Sequence, residues 1–330
     1  MLSRVAEALY WIGRYVERAE NIARFADVNQ YIALDTPSGE WRQWEPLVLV
    51  TGDHAEFHAR HDKATREDVL QFLTFERAYA NSIACCVRSA RDNARMVRDA
   101  ITLELWEAIN QFHQLLEDGA QAHPGGDVPY EFFAKVRDAS HLIHGIIDDT
   151  MARTAAWQFC RLGQMIERAD KTTRLLDVKY FILLPSPDDV GSALDEIQWA
   201  AVLRSASALE MYRKRHGRCQ PERIIEFLLL DREFPRSVFA CLHEAQARLH
   251  ELSGTPLGSY RVSPEQRLGR LHARLSYTSG DEIVADGMHE FLDDLQLQIN
   301  LLDRDIFEVY FALAPVDTPQ PAAAALQEDQ

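Results

Sequence analysis

An all-α fold is predicted by three observations. Long segments place apolar residues at the helical period, no stretch alternates as a strand would, and the chain repeats itself. From Val5 to Leu34 there is no proline and one glycine, so a single helix is predicted. Ser82–Leu116 reads as one long helix or two abutting ones, and 118–129 (DGAQAHPGGDVP) is the clearest interruption. Helix resumes over Tyr130–Leu184 and stops at 185–192 (PSPDDVGS); Asp195–His216 and Glu222–Leu230 follow. Pro235 suits the first turn of another helix, with Asp231 to Glu233 near its N-cap. A linker over Gly254–Pro264 and a final pair of helices lead to Ala312, and the tail 313–330 reads as disordered.

The repeat is explicit. Residues 13–28 (GRYVERAENIARFADV) match 163–178 (GQMIERADKTTRLLDV) at seven of sixteen positions, where chance gives about one. The identities are Gly13/Gly163, Glu17/Glu167, Arg18/Arg168, Ala19/Ala169, Arg24/Arg174, Asp27/Asp177 and Val28/Val178, while Glu20 answers to Asp170. A second block, 67–91, matches 222–246 at a shift of 155, and Trp44 answers to Trp199 at the same shift. Three collinear matches imply duplication of a helical unit, and a pseudo-twofold bundle is expected. The predicted organisation is one domain over 1–312, with repeat one at about 1–117 and repeat two at about 130–312.

Composition bounds the function. Of 330 residues, 47% are hydrophobic and 26% charged, an ordinary globular balance. The net charge of −16 argues against a protein that tracks nucleic-acid phosphates. No apolar run approaches the roughly 20 residues of a membrane helix, and Glu7, Glu17 and Glu20 exclude a secretory signal, so a cytoplasmic location is expected. Cys85, Cys86, Cys160, Cys219 and Cys241 form no CxxC pair and read as reduced, buried side chains. Only five of the 35 basic residues are lysine; arginine is favoured where a planar fork grips a carboxylate or phosphate.

On a helical wheel, Gly13, Glu20, Arg24, Val28 and Tyr31 lie within about 60° of Glu17. Gly163, Asp170, Arg174, Val178 and Phe181 do the same around Glu167, and Arg18 and Arg168 point toward a neighbouring helix. Three readings stand. Buried ion pairs of Glu17, Arg18, Glu167 and Arg168, joined by Glu76-Arg77 and Asp231-Arg232, could fix the register of the copies. Alternatively, the acids hold a ligand amine while Arg24, Arg174, Arg91 and Arg95 hold its carboxylate or phosphate. A metal site is the third reading, but a ferritin-like centre uses Glu-x-x-His and no histidine follows these acids by three, so no metal or cofactor is predicted. His141, His144 and Asp148 have one-helix metal spacing without a counterpart in the first copy, and read as a partly exposed pair. Arg88, Arg91, Arg95 and Arg98 form a basic face interleaved with Asp92 and Asp99, which reads as solvated and salt-bridged. No Walker loop, GxGxxG, GxSxG or HExxH is present.

With the repeated Glu-Arg-Ala-acid signature in hand, the chain resembles the alpha-E domain family, bacterial helical proteins named for that motif. The resemblance runs through MLSRVAEALYWIGRYVERAENIARFADVN, SARDNARMVRDAITLELWEAIN, WQFCRLGQMIERADKTTRLLDVKYFILLP, LRSASALEMYRKRHG and EFLLLDREFPRSVFACL. It departs at Ala156, where the family tends to have glycine before the tryptophan, and at His141 and His144, which are not a family feature. The resemblance implies a helical domain without an established reaction, encoded beside or fused to circularly permuted ATP-grasp ligases. A transglutaminase-like protease often accompanies them, and sometimes a proteasome-related hydrolase. The expectation is an accessory subunit that docks on such a carboxylate–amine ligase and helps position its substrate. An independent enzyme using Glu17 and Glu167, or a pure scaffold, are the alternatives.

Overall fold

A computed structural model of the chain describes residues 1–35, 41–181 and 191–312. The predicted tail and the side chains of Tyr31, Val178 and Phe181 lie outside the described residues. Helices follow one another as α1 (Ser3–Asp35), α2 (Trp41–Thr51), α3 (His54–His58), α4 (Arg66–Thr74), α5 (Ile83–Met96), α6 (Leu103–Ala122) and α7 (Tyr130–Thr150). Then come α8 (Ala155–Phe181), α9 (Ala193–Ser205), α10 (Leu209–His216), α11 (Pro221–Leu230) and α12 (Val238–Ser253). The last are α13 (Ser263–Tyr277), α14 (Gly280–Asp286), α15 (Met288–Ile306) and a π-helical turn, Phe307–Phe311. No strand occurs among the described residues.

Local chemistry sets the breaks that periodicity blurred. Of the two readings of 82–116, the chain adopts two helices, because Thr102 turns extended and accepts the Leu105 N–H, starting α6 afresh. Helix α7 ends at Met151, which is extended, so 130–184 is likewise divided. The expected 195–216 helix breaks at Ser207, a non-glycine residue at φ 53°. Pro235 does not open a helix: Ser237 caps α12 by accepting the Ala240 N–H, while Asp231 accepts the N–H groups of Glu233 and Phe234 in the turn before it. The predicted final pair proves to be α13, α14 and α15, with α14 started by a Ser279/Glu282 capping box.

Helices α1 and α8 form the axis, and contacts between them keep a nearly constant sequence offset of 147 to 153, so they run parallel. Gly13 and Gly163 mark the crossing. A Cβ on Gly13 would strike the Cys160 carbonyl oxygen, and one on Gly163 the Tyr10 carbonyl oxygen. Only glycine lets the two backbones approach this closely. Around the axis, α5 and α7 pack on α1, with α6 joining them, while α12 and α15 pack on α8, with α13 joining them. The short helices cross over: α2, which carries Trp44, packs on α8, and α9, which carries Trp199, packs on α1. Both tryptophans are buried. Aromatic pairs at repeat-matched positions, Phe72–Tyr79 and Phe227–Phe234, stack at 4.0 and 4.8 Å and tie α4 and α11 to the turns leading to α5 and α12. One contiguous apolar core runs through both halves. Axis and crossovers together bring the two signatures face to face.

Candidate functional site: two buried acid–arginine clusters

Each signature glutamate is gripped by the arginines of the opposite helix. Arg168 on α8 sends Nε and Nη2 to Glu17 on α1 at 3.0 and 2.7 Å. Arg18 on α1 returns the same fork to Glu167, at 2.7 and 2.9 Å. Such bidentate forks are the strongest arrangement open to an arginine and a carboxylate. Glu17, Glu20 and Glu167 are fully buried, and Asp170 nearly so.

The first cluster is completed from three more elements. Arg236, in the turn before α12, donates to Glu17 Oε1 at 3.0 Å and to Asn21 Oδ1 at 3.1 Å, and also binds Glu20. Asn21 donates to Glu17 at 2.9 Å and Gln164 does so at 3.3 Å. Arg24 donates to Glu20 at 2.9 and 2.6 Å, and its other terminal nitrogen reaches the Ser207 hydroxyl. From α7, His141 Nε2 lies 3.3 Å from Glu20, and His144 lies 3.5 Å from Glu20 and 3.8 Å from Glu17. A partly exposed pair is expected from the sequence, and His141 keeps 55% side-chain exposure. Only tertiary packing of α7 on α1 brings them to the acids, and His144 retains just 11% side-chain exposure.

The second cluster has the same skeleton with other supports. Arg14 donates to Glu167 at 2.8 Å and also binds Asp303 of α15. Lys171 lies 3.1 Å from Asp170 and 3.6 Å from Glu167, and Arg174 donates to Asp170 at 3.1 and 2.9 Å. Asn81, the repeat-match of Arg236, accepts from Arg18 at 2.5 Å. The terminal nitrogen of Arg174 lies over Gly52, at φ 79°, which matches Ser207 in the repeat. Asp27 and Asp177 also find matching places, on Arg137 of α7 and on His289 at the start of α15.

The electrostatics follow from burial against pairing. Burial raises the Glu17 carboxyl, but Arg168 and Arg236 outweigh it and hold the group at about 2. Burial likewise opposes Glu20 and Glu167. Arg236 and His141 pull Glu20 well below the carboxylate range, and Arg18, Arg14 and Lys171 do so for Glu167. Asp170 is lowered against its burial by Lys171 and Arg174. Burial pushes His144 down to about 4, so it is uncharged at neutral pH. Cys86, Cys160 and Cys241 are pushed up to about 12 by burial, which removes them as nucleophiles.

Several expected participants stand elsewhere. Arg77 is exposed and pairs with Glu117 at 2.9 Å, while half-buried Glu76 accepts the Ala78 N–H at 3.0 Å, so the turn before α5 holds both away from the clusters. Asp231 pairs with Arg215 at 2.5 Å, and Arg232 lies over the Phe239 ring at 5.1 Å. The repeat-matched residues that do reach the clusters lie five positions further on, Asn81 and Arg236. Arg91 faces α6, donating to Asn110 at 2.6 Å, and exposed Arg95 faces Asp92 at 4.0 Å, so neither stands in the clusters. The void beside the second cluster, lined by Arg18, Asp53, Tyr79, Asn81 and Lys171, measures about 10 Å³. That is room for roughly one water, far below the several hundred Å³ of a small-molecule pocket. A metal fits the first cluster poorly: Glu17, Glu20 and His144 converge, but three guanidiniums already neutralise the two carboxylates.

Fold and site thus define an all-helical domain locked around two buried acid–arginine clusters that its halves supply to each other. It belongs to the Alpha-E family, described as a predicted alpha-helical domain with a conserved ER motif, which matches residues 1–311. The Glu17-Arg18 and Glu167-Arg168 pairs are the Glu-Arg dipeptides of the signature. Among curated relatives, uncharacterized protein Mb2597 of Mycobacterium bovis is 25% identical over 94% of this chain and 36% of its own length. Uncharacterized protein Rv2567 of Mycobacterium tuberculosis is 24% identical with the same coverage. The chain therefore spans about a third of the length of these relatives. No solved structure matches. No described helix is long and apolar enough to cross a membrane.

Proposed function

We propose that this chain is an accessory module of an ATP-grasp carboxylate–amine ligase system, in which the Glu-Arg signature locks the fold and the outer surface docks on the ligase. The observation that carries the role of the signature is the closure of both clusters: every signature carboxylate is spent on a cation of the same chain. A carboxyl held at about 2, as Glu17 is, cannot trade protons near neutral pH, which disfavours an independent enzyme built on Glu17 and Glu167. The ligase association rests on the family resemblance. It is supported by relatives in which the matching segment is 36% of a longer protein, as expected of a module that works beside other segments. A cytoplasmic setting and a circularly permuted ATP-grasp partner, with a transglutaminase-like protease in the same system, belong to this reading. The reciprocal contacts also support descent of the halves from one duplicated unit related by a pseudo-twofold.

The test mixes the full chain with a circularly permuted ATP-grasp ligase from the same organism and measures complex formation by size-exclusion chromatography and ADP release with candidate carboxylate and amine substrates. A stable complex with faster ligation is expected. Unchanged ligation and no complex would remove the accessory role. A Glu167→Gln chain that still folds and docks but abolishes product would instead return the signature to substrate binding.

A further inference from the structure

The carboxylates on the axis are already paired with cations of the same chain, and a different convergence lies at the surface of the first half. His54 and His58 occupy positions i and i+4 of α3, which places both imidazoles on one face. Both Nε2 atoms lie 2.8 Å from the same carboxylate oxygen, Oε1 of Glu45 on α2. The ring centroids are 4.3 Å apart, and the three donor atoms all fall within 4.8 Å of one another. Two shared protons can satisfy this arrangement. So can one divalent ion in their place.

We propose that Glu45, His54 and His58 bind a divalent transition-metal ion of the zinc type through two imidazole Nε2 atoms and one carboxylate. Two nitrogens and one oxygen suit a borderline ion such as Zn²⁺, Co²⁺ or Ni²⁺. Metal–ligand bonds of about 2.0–2.2 Å are reached by small torsions of three side chains whose donors already converge. The donors stand on an anchored element, because Phe57 between the histidines is fully buried and packs edge-on against Phe72 at 5.2 Å. Side-chain exposures of 49% for His54, 30% for His58 and 25% for Glu45 give the ion an entry path and leave a coordination position facing solvent.

The Glu17, Glu20 and His144 group supplies similar donors with the opposite surroundings. There the carboxylates already carry Arg24, Arg168 and Arg236, whereas no guanidinium or ammonium among the described residues pairs with Glu45. The site shares no residue with the signature and does not depend on the accessory role.

Titrating the full chain with ZnCl₂ in a non-coordinating buffer, by calorimetry, should give one equivalent bound with a micromolar Kd. Co²⁺ in place of Zn²⁺ should give a visible absorption band of tetrahedral intensity. His58→Ala and, independently, Glu45→Gln should each weaken binding at least about tenfold, with circular dichroism unchanged. His289→Ala and His272→Ala, at the Asp177–His289 contact and the His243–His272 pair, should leave the stoichiometric site intact. The proposal is overturned if the wild-type chain binds no Zn²⁺ at tens of micromolar. It is equally overturned if Glu45→Gln and His58→Ala bind as the wild type does, or if His289→Ala removes the equivalent instead.

Discussion

The two clusters on the axis meet one electrostatic requirement by opposite routes. Around Glu17 and Glu20 the axis helix supplies an amide, Asn21, and the turn before α12 supplies the cation, Arg236. Around Glu167 and Asp170 the axis helix supplies the cation, Lys171, and the turn before α5 supplies the amide, Asn81, through Arg18. In the first, two carboxylates face three guanidiniums; in the second, Asp303 makes three carboxylates and Arg14, Arg18, Lys171 and Arg174 make four cations. Each carries one surplus positive charge. Each cluster thus receives one added cation and one amide, delivered from opposite backbone positions.

Removing a shared element should cost most, and equally, on both sides. Glu17→Gln and Glu167→Gln each leave buried guanidiniums without a counter-charge, and urea unfolding should show each losing about 3–5 kcal/mol. A loss confined to one of them would make the clusters unequal partners. Gly13→Ala and Gly163→Ala should follow, at about 1–3 kcal/mol or more in the same assay, since each added methyl meets a backbone carbonyl that cannot swing aside.

Acid should separate the clusters, because only the first has histidines on its acids. His144 titrates at about 4 in the fold and at 6.5 in an unfolded chain, so the fold binds fewer protons there between those values. Stability should therefore be full above pH 6.5 and fall as pH drops toward 4, by up to about 3 kcal/mol. Glu17, lowered from 4.5 to about 2, extends the loss below pH 4.5. His144→Leu should erase the upper limb of the melting-temperature profile and leave the lower one.

The smallest expected effect is at Ser207, which holds a left-handed backbone where the other half has Gly52. Ser207→Gly relieves about 1 kcal/mol of strain and forfeits a hydroxyl bond to Arg24 of similar worth, so thermal melts should shift little. Ser207→Ala forfeits the bond and keeps the strain, and should cost about 1–2 kcal/mol.

The helical class and the matched signatures were legible because periodicity and repeated side chains are written in the order of residues. Partner identity was legible only where both partners lay inside the matched motif, as with Arg18–Glu167 and Arg168–Glu17. Arg236 and Asn81 differ in charge, so aligning the halves hid that they occupy equivalent places. His144 reaches Glu17 and Glu20 through the packing of α7 on α1, across more than a hundred residues, and no local spacing reports that. The break at Ser207 was invisible for a related reason: a serine in a helical pattern gives no warning of a left-handed turn held by a distant guanidinium.

The exchange of arginines between the halves also bears on whether either half can stand alone. Arg236 follows Glu20 by 216 residues and Arg168 follows Glu17 by 151. A segment that holds α1 without them lacks most of the cations that offset the burial of these carboxylates. The first half made alone is therefore expected to leave its signature exposed, and a fragment ending before α8 should show a lower melting temperature and less helix by circular dichroism than the full chain.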